Sequence, residues 1–278
     1  MTSSVQTIEQ RLTGLDSLSN RQDVLRIIGL FLTELEKGTI RAAMRDENGI
    51  WRAQAWVKEG VLAAFRLGSP TEFASGSLSF IDKDTIPPRR FRKDEGVRIV
   101  PGGSSIRRGA YVAKGVVMMP PAFVNIGAWV DEDTMIDSHA LVGSCAQVGK
   151  RVHISAAAQI GGVLEPIGRL PVIIEDDVVV GGNAGIYEGT IVRARAVIGA
   201  GVVITASTPV YDAVRDQIYR QTPERPLEIP YGAVVVPGSR PLAGKFGEQH
   251  GLQVATPIIV KYRDEKTDAA TALEEALR

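Results

Sequence analysis

One aliphatic residue returns at every sixth position between residues 100 and 210 of this chain. A helix repeats its apolar face about every 3.6 residues and a strand every second residue, so neither produces this spacing. A period of six is typical of the hexapeptide β-helix, in which short strands close one coil and the aliphatic side chains point to its axis. The repeat, called here the hexad ladder, comprises Val100, Ile106, Val112, Met118, Val124, Val130, Ile136, Val142, Val148, Ile154 and Ile160, followed after a gap by Ile174, Val180, Ile186, Val192, Ile198, Ile204 and Val210.

The ladder divides the chain into three parts. We expect a mainly β protein with a β-helix domain at 99–238, which follows a mostly helical α/β domain at 1–98 and precedes a strand and helix at 239–278. The gap in the ladder predicts a loop extruded between coils at 165–172. Such loops on rigid scaffolds often carry function.

Local signals outside the ladder predict further elements. In the N-terminal part they predict a helix at 5–13, a helix from Ser19-Asn20 to a stop at Gly38, a hairpin at 40–56, a helix at 57–66 and a polar connector at 68–92. Beyond the ladder they predict an irregular or hairpin excursion at 211–231, strands at 232–237 and 252–262, and a helix at 268–278.

Charge and cysteine content narrow the function classes. The 32 basic residues balance the 32 acidic ones, which argues against general affinity for nucleic acid or anionic membranes. Cys145 is the single cysteine, so no internal disulfide can form and a reducing compartment fits best. The sequence shows neither a signal peptide nor an apolar run of about 18 residues. We therefore expect a cytoplasmic protein.

Two acids interrupt the ladder's corner pattern. Asp131 and Asp137 follow an aliphatic ladder residue, where glycine often stands. Either acid can be a solvated corner residue. Asp137, in the dense stretch TMIDSHALVGSCAQVGKRVH, is also a candidate general base for an amine nucleophile. His139 is the next candidate because imidazole titrates near neutrality, whereas His153 is expected to be structural. Cys145 is the least favoured nucleophile.

No cofactor motif accompanies these candidates. The three histidines are too scattered to predict a zinc site, and neither a P-loop nor a GxGxxG turn opens a helix. We therefore expect no metal, and an activated donor would bind along the coils. The basic cluster at 89–93 is either a solvated loop or a contact for a carboxylate or phosphate; it comprises Arg89, Arg90, Arg92 and Lys93.

Residues 125–166, NIGAWVDEDTMIDSHALVGSCAQVGKRVHISAAAQIGGVLEP, closely resemble the tetrahydrodipicolinate N-succinyltransferase family of hexapeptide-repeat acyltransferases. The resemblance covers nearly the whole chain and continues through EGVRIVP (95–101), IIED (173–176), YEGTIV (187–192), GAVVVPGS (232–239) and PIIVKYRDEKT (257–267).

The resemblance implies a homotrimer of left-handed β-helices with active sites in the grooves between subunits. It implies transfer from succinyl-CoA to the amine of ring-opened tetrahydrodipicolinate, L-2-amino-6-oxopimelate, in the lysine and diaminopimelate pathway. Arg98 matches the arginine that binds a substrate carboxylate, and Asp137 matches the aspartate that binds the substrate and accepts the amine proton. Candidates for the coenzyme A groove are Asn183, Ala200 and Ser207.

The chain departs from the family at two positions. Gly185 stands where the family usually has a second active-site carboxylate, and His139 stands where relatives carry a bulkier aromatic residue. The second acid is then dispensable, or the pocket is retuned, or the chain is a weak or inactive paralogue. The alternatives are an acetyl-CoA-dependent N-acyltransferase of secondary metabolism, as in tabtoxin-type β-lactam synthesis, and a non-catalytic scaffold. Retention of Arg98 and Asp137 argues against the scaffold.

Overall fold

The computed structural model of the chain describes residues 3–18, 20–76 and 78–264. Its N-terminal part contains three helices. They are α1 (Ser3–Thr13), α2 (Arg21–Glu36) and α3 (Ala55–Leu67), with a hairpin of β1 (Ala43–Arg45) and β2 (Trp51–Ala53) between the last two. The Asn20 side chain caps α2 by accepting a hydrogen bond of 3.0 Å from the Gln22 backbone. The predicted helices and hairpin are thus confirmed.

The connector predicted at 68–92 is wrong over its first half. An antiparallel hairpin forms there from β3 (Pro70–Ser75) and β4 (Leu78–Lys83), with Phe73 directly opposite Phe80. The two aromatic side chains stabilise the pairing of the strands. Composition alone does not reveal this pairing, because it joins residues on either side of a turn.

The hexad ladder forms a parallel β-helix of two-residue strands. In chain order the strands are β5 (Arg98–Ile99), β6 (Ser105–Ile106), β7 (Tyr111–Val112), β8 (Val117–Met118), β9 (Phe123–Val124), β10 (Trp129–Val130), β11 (Met135–Ile136), β12 (Leu141–Val142), β13 (Gln147–Val148), β14 (His153–Ile154), β15 (Gln159–Ile160), β16 (Ile173–Ile174), β17 (Val179–Val180), β18 (Gly185–Ile186), β19 (Ile191–Val192), β20 (Val197–Ile198) and β21 (Val203–Ile204).

The strands stack in register into three faces. Face 1 contains β5, β8, β11, β14, β17 and β20; face 2 contains β6, β9, β12, β15, β18 and β21; face 3 contains β7, β10, β13, β16 and β19. From β6 onward, the second residue of each strand is buried in one continuous core. The first residue therefore points outward, because successive side chains alternate across a strand.

The chain beyond β21 leaves the β-helix and then returns to it. A hairpin of β22 (Val210–Asp212) and β23 (Gln217–Tyr219) precedes β24 (Glu228–Ile229), which joins face 3, and β25 (Ala233–Pro241), which joins face 1. Helix α4 (Lys245–His250) and β26 (Gln253–Tyr262) follow, and β26 pairs antiparallel with β25. The helix predicted at 268–278 lies outside the described residues.

Both ends of the predicted ladder need correction. Ile99, not Val100, pairs with Met118, because the Gly102-Gly103 turn adds one residue to the first hexad. At the other end Ile229, not Val210, pairs with Val192. Val210 starts the excursion instead, and the coil resumes after it.

The N-terminal domain covers face 3. Arg41 lies 4.1 Å over the Trp129 ring, which stacks on Tyr111 at 3.9 Å. Gly38 has φ 76°, and a Cβ there would approach Tyr111 to 2.8 Å, so only glycine allows this contact. On face 2, the outward residue Val203 of β21 is 52% exposed.

The division at residues 98 and 238 stays a prediction, although β25 continues through residue 238 as one strand. Across the described ranges, no helix combines the length and apolar character needed to cross a membrane.

Candidate active site

Asp137 lies at the corner where face 1 turns into face 2, directly after β11. Its backbone N–H donates to Ile154 O of the next coil at 2.9 Å. One carboxylate oxygen, Oδ1, accepts a hydrogen bond of 2.7 Å from the Ser138 backbone. Within the described chain the other oxygen has no hydrogen-bond donor. The half-buried carboxylate is therefore oriented by the corner and has one oxygen available to a ligand.

Arg98 is exposed on the first strand of face 1, and no described carboxylate pairs with it. Strand β5 pairs with β8, and β8 pairs with β11, so Arg98 lies two coils from Asp137. At about 4.8 Å between parallel strands, this separation is roughly 10 Å along the axis. An extended dicarboxylate spans such a distance, and a guanidinium binds a carboxylate with two parallel hydrogen bonds.

The three candidate coenzyme A residues do not lie on one corner. Asn183 and Ala200 share the face 1–face 2 corner with Asp137, two and three coils further along the axis. The Asn183 backbone N–H donates to Ala156 O at 3.0 Å, which ties successive coils together. Ser207 instead lies beyond β21, at the far side of face 2, where its hydroxyl is 3.2 Å from that of Thr205.

His139 is exposed on the same corner as Asp137, two residues further along the chain. It has φ 62°, and its backbone N–H donates to Pro121 O at 2.5 Å. His153 instead lies on face 1 in β14, and His250 ends α4. No cluster of metal-binding side chains occurs in the ranges that the structure describes, and the expected absence of a metal stays a prediction.

Asp131 has a structural environment. Its Oδ2 accepts from the Trp129 indole at 3.2 Å and its Oδ1 from the Glu132 backbone at 2.9 Å. It lies at the face 3–face 1 corner, so it is one corner away from Asp137.

Cys145 is fully buried between the N-terminal domain and the β-helix. Burial raises the pKa of its thiol to about 12, although nearby Lys58 acts in the opposite direction. A thiol that stays protonated at neutral pH is a poor nucleophile.

The basic cluster at 89–93 separates into different environments. The Arg89 side chain is only 6% exposed, donates to the Ala110 carbonyl oxygen and pairs with Glu95 at 3.4 Å. Arg92 is exposed and pairs with Asp94 at 3.1 Å. Arg89 thus has a structural role, whereas Arg92 lies on the solvated surface.

The extruded loop between β15 and β16 is fixed to the N-terminal domain. The buried Lys58 amino group donates to the Arg169 carbonyl oxygen in this loop. Burial lowers the pKa of Lys58, and Cys145 opposes this change.

Tyr187 is a residue that the sequence alone did not indicate. Its ring lies against Gly185, and a Cβ on Gly185 would come within 2.6 Å of the ring. The place where a side chain at position 185 would begin is thus occupied by Tyr187. The sequence signal that could have found it is a glycine at the outward position of a strand followed two positions later by a bulky residue.

Comparisons with known proteins match both parts of the chain. Residues 4–67 match the family model described as "Tetrahydrodipicolinate N-succinyltransferase N-terminal". Residues 171–206 match "Hexapeptide repeat of succinyl-transferase".

Curated relatives extend the match over almost the full length. The protein from Nitrobacter hamburgensis is 43% identical over 267 residues, covering 94% of this chain and 92% of its own. The protein from Acinetobacter baylyi is 44% identical over 261 residues, covering 92% and 90%. Both are named 2,3,4,5-tetrahydropyridine-2,6-dicarboxylate N-succinyltransferase. The chain therefore belongs to the tetrahydrodipicolinate N-succinyltransferase family.

Proposed function

We propose that the chain transfers the succinyl group of succinyl-CoA to the amine of ring-opened tetrahydrodipicolinate, as an enzyme of the lysine and diaminopimelate pathway. The observation that carries this proposal is the 43% identity over 94% of the chain to a relative of that name. The corner geometry of Asp137 supports it independently.

The reaction needs a base beside the amine. The ammonium form has no lone pair, so it must lose a proton before nitrogen attacks the thioester carbonyl. The C–N bond then forms, the C–S bond breaks, and the thiolate of coenzyme A takes up a proton as it leaves. Asp137 has one carboxylate oxygen fixed by Ser138 and the other available to receive the amine proton. We assign it the roles of general base and amine contact.

Arg98 binds a carboxylate of the acceptor in this proposal. It is exposed and has no carboxylate partner among the described residues, so its guanidinium can form a bidentate pair with the substrate. The two-coil separation from Asp137 suits an acceptor with a carboxylate at one end and the amine nearer the other.

The pantetheine arm of the donor follows the face 1–face 2 corner past Asn183 and Ala200. Backbone groups of stacked coils offer hydrogen bonds at regular spacing. A small cavity of about 70 Å³ continues this corner, lined by Gly201, Val202, Pro237 and Gly238 among others. Ser207, on the other side of face 2, contacts the donor only if the acyl-CoA crosses that face.

The assembly proposed is a homotrimer of left-handed β-helices in the cytoplasm. Face 3 is covered by the chain's own N-terminal domain, whereas outward residues of face 2, such as Val203, remain exposed. A neighbouring subunit would cover this face and complete the groove beside Asp137.

Acetyl-CoA is the alternative donor, and Gly185 is the observation that favours it. A thiol-release assay on tetrahydrodipicolinate with succinyl-CoA and acetyl-CoA in parallel tests both. Succinyl preference supports the pathway enzyme, acetyl preference supports the specialised paralogue, and no release with either contradicts acyl transfer. A thermal shift with coenzyme A and a dicarboxylate then tests the scaffold, which would bind neither.

A further inference from the structure

The Tyr187 ring is packed against two glycines. A Cβ on Gly185 would lie 2.6 Å from Tyr187 Cε2, and a Cβ on Gly161 would lie 2.8 Å from Tyr187 Cδ1. Neither glycine has a positive φ, so the backbone would accept other residues. Gly185 is therefore required by the ring and not by the turn, because real Cβ atoms do not approach other atoms this closely. A Cβ on Gly161 would also approach the Ile186 carbonyl oxygen to 3.1 Å.

The packing directs the Tyr187 hydroxyl into the middle of face 2. Tyr187 follows β18, yet its hydroxyl oxygen is 2.8 Å from the point where a Cβ of Gly185 would be. The side chain thus folds back along β18. In the described part of the chain this hydroxyl has no hydrogen-bond partner, and it is not among the buried unsatisfied polar atoms. A solvent-accessible donor on a partly exposed side chain is therefore held over β18 of face 2.

Along the axis of the β-helix, the Tyr187 hydroxyl lies on the same side of Asp137 as the corner assigned to coenzyme A. Asn183, at the corner assigned to the pantetheine arm, is two residues before Gly185 and leads directly into β18. Arg98, which is assigned to the acceptor, lies on the opposite side of Asp137 along the axis. Asn183 and Asp137 share one corner, so an acyl group delivered from Asn183 toward Asp137 passes along the edge of face 2 at which β18 begins.

We propose that Tyr187, held over Gly185 and Gly161, is a specificity-determining residue whose hydroxyl donates a hydrogen bond to the terminal carboxylate of a dicarboxylic acyl-CoA donor. This inference rests on the proposed acyl transfer and identifies the donor class of that site. A phenol hydroxyl can donate a hydrogen bond to a carboxylate oxygen. An acetyl group has no carboxylate to receive this bond.

The test measures kcat/KM for succinyl-CoA and for acetyl-CoA in the wild-type chain and in the variant Tyr187→Phe. This substitution removes the hydroxyl and keeps the ring on both glycines. We expect kcat/KM for succinyl-CoA to fall about 10- to 100-fold, the range for a lost hydrogen bond to a charged group. The value for acetyl-CoA should stay within about twofold of the wild type. Tyr231→Phe, at a 60% exposed tyrosine, is the matched control and should change neither value.

Gly185→Ala provides a second variant that keeps the hydroxyl. The added methyl group displaces the ring, which can swing outward because it is the end of a side chain. We expect the same selective loss of succinyl transfer, and no additional loss in the double variant with Tyr187→Phe.

The outcomes separate this inference from the proposed function. If the wild type releases thiol and both variants keep its ratio of kcat/KM for succinyl-CoA to that for acetyl-CoA, the role of Tyr187 is overturned and the proposed function is not. An equal fall with both donors also overturns it, since that pattern marks a structural role or an acceptor contact. A wild type that prefers acetyl-CoA does the same. No wild-type turnover with either donor contradicts the proposed function, and the inference falls with it.

Discussion

The Trp51 indole donates a hydrogen bond of 2.9 Å to the Glu175 carboxylate, which connects the N-terminal hairpin to the corner after β16. The same carboxylate pairs with Arg45 at 2.7 Å and with Arg193 at 2.9 Å. Glu175 is only 8% exposed. One buried acid therefore joins two residues of the N-terminal domain to one of the β-helix.

The first prediction concerns acid stability. Burial raises the pKa of Glu175, but the Trp51 hydrogen bond and the charges of Arg193 and Arg45 outweigh it, and the net pKa is below the usual 4.5. The stabilisation is thus present above about pH 4.5 and is lost as the pH falls through the folded-state value. Glu175→Gln should lower the free energy of unfolding by about 1–3 kcal/mol at pH 7. Its difference from the wild type should shrink below pH 4.5, measured by urea unfolding at fixed protein concentration.

Glu132→Gln is the control for this experiment. Glu132 is exposed and pairs with Lys150 at 2.8 Å on the surface. Exposed pairs contribute about 0–1 kcal/mol, so this variant should unfold nearly like the wild type. A Glu175→Gln difference that is constant from pH 7 to pH 3 would refute the role of its charge.

The second prediction concerns the general base. Asp137→Asn keeps the size of the side chain and an oxygen that can accept the Ser138 N–H, but it cannot take a proton from an amine. We expect turnover to fall by about 100-fold or more, with the melting temperature and subunit assembly unchanged. Asp131→Asn, at the acid that bonds Trp129, should retain turnover. Equal activity of the two variants would refute the assignment of Asp137.

The sequence predicted the β-helix well because its core signal is periodic. A side chain that points to the axis every sixth residue must be apolar, so Val124, Val142 and Ile160 stack as expected. The six-residue periodicity predicts the wrong residues where the spacing of the coils changes while apolar residues continue in the sequence. Gly103 adds a residue before Ile106, and the chain leaves the coil after Ile204, yet apolar residues continue in both places.

The site was less predictable, since it depends on which corner each residue occupies. Counting by six places Asp137, Asn183 and Ala200 on one corner and Ser207 on another, but only once the strand register is known. The contact of Tyr187 with Gly185 depends on a side-chain rotamer, which periodicity does not encode.

The third prediction concerns the acceptor carboxylate. Arg98→Ala removes the guanidinium from an exposed position on β5, so we expect little change in stability. The kcat/KM for tetrahydrodipicolinate should fall about 10- to 100-fold through the loss of a charged hydrogen-bond pair, while the KM for the acyl-CoA stays constant. Arg92→Ala is the control, because Arg92 is exposed and pairs with Asp94. A rise in the acyl-CoA KM instead would move Arg98 to the donor side of the groove.

The fourth prediction concerns Cys145. Since burial raises the pKa of this thiol to about 12, the folded protein should resist iodoacetamide at pH 8 and should be labelled once it is unfolded in urea. Cys145→Ala should keep full turnover. Cys145→Ser should also keep turnover but should lower the free energy of unfolding by about 1–3 kcal/mol, because it buries a hydroxyl in an apolar contact. Mass spectrometry of the labelled protein and urea unfolding give the two readouts. Labelling of the folded protein at the rate of an exposed thiol would contradict the burial of Cys145. Loss of turnover in Cys145→Ala would show that the thiol takes part in the reaction.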